Sequence, residues 1–163
     1  MLDRDYSFDE EIDDYLRKAE ESGLILHIWS KKEIENYIVT PEIVFKASKL
    51  PANKKEEFFM ELDKLADGFY NDVFDSYAQK HSSLNRGKEI KNHNDAARKF
   101  LQAKWGTLTE KMSFISGKDL KKAIFAFLNE NYNIALRDGD LINAISHDNI
   151  DNEMIRVLSL LTS

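Results

Sequence analysis

Apolar positions along this chain change period twice, and those changes divide it into elements. Residues 1–6 read as a short strand. The run Leu24-Ile25-Leu26-His27-Ile28-Trp29 reads as a second strand, apolar enough to be covered on both faces. Between them Ile12, Tyr15, Leu16 and Ala19 recur at helical spacing. Ser7 is placed to cap that helix with Glu10 in the capping-box position, and Gly23 to end it at C′. Residues 1–29 therefore predict one β-α-β unit with a right-handed crossover.

Beyond it the pattern is helical. Lys31 to Tyr37 is polar and predicts a loop or a helical turn. Thr40-Pro41 is a cap followed by proline at the first helical position, with Ile43, Val44, Ala47 and Leu50 on one side and Pro51 as the stop. Asn53, with Glu56 in the box position, predicts the start of one long helix. Its stripe runs from Phe58 through Leu62, Leu65, Phe69, Val73 and Tyr77 to about residue 80, and is read as core rather than a ligand platform. A polar loop over 81–93 and a helix over 94–105 follow. Ser116 caps a further helix with Ile124, Phe125, Phe127 and Leu128 inward, Asp138 caps a short one, and a terminal helix spans about 152–161. The fold class is thus mainly α with a small parallel β fragment. Its parts are 1–45 with the acidic motifs, a helical insert over 46–110, and a helical C-terminal region over 111–163. Two parallel strands make a poor sheet by themselves, so the pattern predicts that a partner completes the sheet or that the chain is the C-terminal piece of a larger α/β domain.

Charge and composition narrow the function. The 163 residues carry a formal net charge of −6, which argues against autonomous nucleic-acid binding. The locally basic stretch of Arg86, Lys88, Lys91, Arg98 and Lys99 is read as a solvated face. No apolar run approaches the roughly 20 residues of a membrane span, so no membrane partner is expected. The absence of cysteine excludes disulfides and thiolate metal sites and fits a cytoplasmic location.

The candidate chemistry is acidic. Asp3 and Asp5 alternate along the first strand and so would project from one face, close enough to share a hard cation such as Mg²⁺. Acids at the carboxyl end of a strand in a β-α-β unit lie where open α/β sheets bind ligands. A second cluster, Lys32-Glu33-Ile34-Glu35-Asn36-Tyr37, follows the second strand and would reach the same edge. Four converging carboxylates require a compensating cation, and paired divalent ions can activate water for phosphodiester cleavage. The alternative is that Glu33 and Glu35 are simply solvated. A two-component phosphoacceptor is set aside, because the helical remainder cannot supply its alternating strands.

Asp3-Arg4-Asp5, followed by Lys32-Glu33-Ile34-Glu35-Asn36-Tyr37-Ile38 and Pro41, resembles the Toprim region of OLD-family (overcoming lysogenization defect) nucleases, the C-terminal nuclease halves of ABC-type ATPases. Gly117-Lys118-Asp119-Leu120 resembles that family's G-K stretch, and Asp138 to Leu158 its closing helices. The likeness covers about residues 1–45 and 115–163. It implies that Asp3 and Asp5 bind Mg²⁺ or Mn²⁺, that Glu33 or Glu35, with Glu35 preferred, joins them, that Asn36 orients a carboxylate, and that Lys118 stabilises charge on a phosphate. It also implies DNA as substrate and an ABC-type ATPase or an upstream polypeptide as partner. The family's glutamate on an earlier strand has no match here, and no G-x-x-x-x-G-K-[ST] loop is present. The expectation is a weak or inactive nuclease fragment. The competing expectation is a non-catalytic helical module that forms a homodimer or docks through an open strand edge.

Overall fold

A computed structural model describes residues 1–161. Among the described residues the fold is mainly helical, with nine α-helices. They are α1 (Asp9–Glu21), α2 (Pro41–Ser48), α3 (Lys55–Asp67), α4 (Tyr70–Leu84), α5 (Ile90–Lys104), α6 (Leu108–Phe114), α7 (Gly117–Tyr132), α8 (Asp138–Ala144) and α9 (Asn152–Leu161). No helix among the described residues is long and apolar enough to cross a membrane.

The two expected strands reduce to a single parallel bridge between Leu2 and Ile28. The Leu2 N–H donates to the His27 carbonyl at 3.0 Å, and the Trp29 N–H donates to the Leu2 carbonyl at 3.1 Å. Pairing goes no further because Asp5 turns into the left-handed region (φ 48°), which ends the extended run. Nor is the 24–29 segment covered on both faces: Leu24 is 67% exposed and Ile25 is 102% exposed.

Helix boundaries follow local chemistry. Phe8 rather than Ser7 is the N-cap of α1. The reaching carboxylate is that of Glu11, which accepts the Phe8 N–H at 3.0 Å, while the Phe8 ring anchors the helix against Tyr77 and Phe100. α1 ends as its sequence predicts. The N–H groups of Gly23 (φ 69°) and Leu24 bond to the carbonyls of Glu20 and Ala19 at 2.9 Å, which closes a Schellman turn. Thr40 caps α2, its hydroxyl accepting the Ile43 N–H.

Asn53 caps nothing. It lies in a 3-10 turn, Ala52–Lys54, that leads directly into α3. The long helix expected to reach residue 80 breaks at Gly68-Phe69 into α3 and α4. The polar loop shrinks to 85–89, because α4 continues to Leu84 and α5 starts at Ile90. α6 is an additional helix, started by a capping box in which Thr107 and Glu110 bond each other's backbone N–H. α8 begins at Asp138 itself, and Asp140 accepts the Arg137 N–H at 2.8 Å.

The main core runs from Phe8 through Ile43, Phe58, Leu62, Tyr77, Leu101, Ile124 and Leu128 to Leu141. It therefore draws on residues from 1–45, 46–110 and 111–163 alike. A smaller cluster of Trp29, Tyr37 and Val157, with Met154 against it, fastens α9 to the front of the chain.

Candidate functional site

The two acidic motifs are brought to neighbouring backbone positions. The Asp5 N–H donates to the Lys32 carbonyl at 3.0 Å, and the Lys32 N–H donates in turn to the Ser113 carbonyl at the end of α6 at 2.9 Å. From there Ile34–Tyr37 forms a 3-10 turn packed on the start of α7. That turn is built by its own side chains. Asn36 Oδ1 accepts the Glu33 N–H at 2.9 Å, and Asn36 Nδ2 donates to the carbonyls of Met112 (2.7 Å) and Ile115 (3.0 Å). One buried amide thus serves both the turn and the open carbonyl end of α6.

Glu33 caps α7. Its Oε2 accepts the Gly117 N–H at 3.0 Å, and the Lys118 N–H also bonds to it. Its other oxygen is paired with Lys32. Burial pushes the Glu33 carboxyl up, but the Lys32 ammonium and the two amides outweigh burial and hold it below the usual glutamate value. Burial likewise works against the charge on Lys32, and Glu33, Tyr6 and Asp5 overcome it and raise its pKa. The Lys32 ammonium also sits 4.5 Å from the centre of the Tyr6 ring. Gly117 is glycine for lack of room: a Cβ there would lie 2.7 Å from Glu35 Cβ and 3.1 Å from the Asn36 nitrogen.

The remaining candidates are less engaged. Glu35 is half-buried, and its nearest cation, Lys118 Nζ, is 3.9 Å away on a side chain that is 71% exposed. Asp3 and Asp5 are both exposed. Because Asp5 lies in a left-handed turn, strand alternation does not carry both aspartates onto one face. Asp5 instead lines a shallow groove of about 400 Å³ with Ser76, Gln79 and Lys80. Among the described residues no three His, Cys, Asp or Glu side chains gather into a group that could hold a metal ion. The structure therefore joins Glu33, Glu35, Lys118 and Lys32 around the start of α7, with Asp5 adjacent through backbone, and leaves Asp3 at the surface.

Residues beyond the sequence expectation complete the assembly. The Tyr37 hydroxyl accepts the Ser30 N–H at 3.1 Å and donates to the Glu153 carboxylate. Burial first, and Glu153 second, push its pKa up to about 12. His27 Nε2 lies 3.2 Å from Glu153, and Lys31 pairs with Asp151 at 2.9 Å while covering the Tyr37 ring. Glu153 is more than 110 residues from Tyr37 in sequence, so no local pattern could have announced it. Comparison of the chain with known protein families, with curated proteins and with solved structures finds no match in any of the three.

Proposed function

We propose that this chain is part of a divalent-metal-dependent DNA endonuclease domain of the Toprim, OLD-like type, weak or inactive by itself and completed by an ABC-type ATPase or an upstream polypeptide. The observation that carries the reading is the Asp5 N–H to Lys32 carbonyl bond, 3.0 Å long, beside the Leu2–Ile28 parallel bridge. It makes neighbours of two motifs separated by the whole of α1, in the order strand-like segment, helix, strand-like segment that a β-α-β unit requires. In this reading Asp5 and Glu35 contact Mg²⁺ or Mn²⁺ together with ligands that the partner supplies. Glu33 positions the turn, because its oxygens already serve Lys32 and α7, and Lys118 meets a phosphate oxygen with its exposed ammonium.

Titration calorimetry of the folded chain with Mn²⁺ tests this. Binding at millimolar metal is expected in the wild type and is lost in Asp5→Asn. A wild type that gives no heat of binding while its circular dichroism stays native overturns the reading.

One observation favours a second reading, a non-catalytic helical module that docks through its front edge. Leu24 and Ile25 stand 67% and 102% exposed just ahead of the bridge, and adjoining exposed apolar side chains mark an interaction surface. Light scattering distinguishes it: a self-associating chain with no metal requirement supports docking, and a metal-binding monomer supports the first reading.

A further inference from the structure

Two histidines close the hairpin between α4 and α5. His81, in the last turn of α4, and His93, in the first turn of α5, place their Nδ1 atoms 2.8 Å apart. His93 is only 5% exposed, and its Nε2 lies 3.2 Å from the Lys88 carbonyl oxygen. A carbonyl oxygen can only accept, so His93 Nε2 carries hydrogen. The space between the two Nδ1 atoms then admits one hydrogen, supplied by either ring. With both rings neutral, His81 donates and His93 accepts. With one added proton, either ring donates. A second added proton sets N–H against N–H across the gap and puts two like charges on rings whose centres are 5.1 Å apart. The bond cannot survive that step.

We propose that His81 and His93 form a one-proton clasp that holds the α4–α5 hairpin closed at neutral pH and releases its loop end on acidification. Charged groups reach the clasp from each neighbouring element. α1 brings Glu11, itself paired with Lys80 of α4 at 3.3 Å, together with Asp9 and Glu10 around the adjoining cavity. The loop brings Lys88 and α5 brings Lys99. Burial, then His93, then Lys88 disfavour the His81 imidazolium, and Glu11 alone favours it, so His81 titrates below the ordinary value of 6.5. The sign follows. The folded chain binds this proton less readily than the unfolded chain does, so the stability contributed by the clasp is complete above pH 6.5. It falls as pH drops toward the lowered value. The adjoining cavity, about 630 Å³, is walled by His81, Leu84 and Asn85 on the α4 side, Ala96 and Phe100 on α5, and Phe8. Release of the clasp frees one of those walls.

Nuclear magnetic resonance titration of the full chain from about pH 8 to about pH 5 tests the clasp, with free imidazole added to the buffer as internal reference. At the upper end the nitrogen shifts should show His93 as the Nε2–H tautomer with a hydrogen bond across the Nδ1 pair. The single shared hydrogen between the two Nδ1 atoms should make the pair take up its two added protons in separate steps. Amide protection over residues 84–92, corrected for intrinsic exchange, should fall at least about tenfold through the second step. In His81→Gln the fall in protection should vanish. Two rings that take up their protons in one unsplit step, with protection unchanged, would overturn the proposal. The wild-type tautomer and step pattern decide it even if the variant fails to fold.

Discussion

Asn36 satisfies a backbone N–H of its own turn and two carbonyls of the α6–α7 junction from a position 3% exposed. Removing it strands buried acceptors, which costs far more than the bonds themselves contribute. Asn36→Ala should therefore destabilise the fold by about 3 kcal/mol in urea unfolding, and Asn36→Asp, which keeps the acceptor and loses both donors, should not rescue it. Glu33 makes a pH-dependent contribution of the same sign as that of His81, in a more acidic range. Its carboxyl is held below the ordinary 4.5, so its stabilisation is present above that value and is lost as pH falls through the lowered one. Glu33→Gln should be less stable than wild type at neutral pH, and the gap should narrow below pH 4.5 in parallel unfolding titrations. The motif from Glu33 to Tyr37 was legible in the sequence as an acidic cluster of polar chemistry. Its use as a cap for α7 was not, because the partner amides lie more than 80 residues away.

At the level of elements, legibility followed the range of the interactions involved. Thr40-Pro41, Gly23 and Ser116 act within four residues, and the boundaries they set stand as the sequence predicts. The break at Gly68 was hidden because the apolar stripe of α3 resumes in α4, so periodicity passes over a turn that glycine alone marks. α6 had a visible signal, the Thr107-x-x-Glu110 box, but only seven residues behind it. The strands failed for a tertiary reason: an apolar run makes a strand only where neighbours pair with it, and here one bridge is available. α1 has no buried residue of its own, so its apolar attachment rests on Phe8, 9% exposed among Tyr77, His81 and Phe100, beside the ion pairs of Glu11 with Lys80 and Asp9 with Lys104. Phe8→Ala should cost about 4 kcal/mol and should lower helical circular dichroism by detaching α1, a loss that a surface substitution such as Tyr15→Ala should not reproduce.

The whole molecule is acidic, and many of its cations are held by carboxylates. Lys32, Lys111 and Lys31 are buried against carboxylates, Arg17 and Arg98 pair along their own helices, and Lys54 reaches from the 3-10 turn to Glu57 of α3. With a net charge of −6 the chain should give no shifted band with duplex DNA in a mobility assay at physiological salt without divalent ions. A shifted band under those conditions would show a phosphate-binding surface that the charge distribution does not provide. The position of Glu33 has a last consequence. The same carboxylate neutralises Lys32 and seats the first amides of α7, whose Leu120, Ile124 and Leu128 lie at the centre of the main core. A divalent ion that recruited Glu33 would have to unseat that helix start and leave an ammonium stranded. Occupancy would then be felt as loosening in the middle of the protein, whereas an ion held through Glu35 would leave the interior undisturbed.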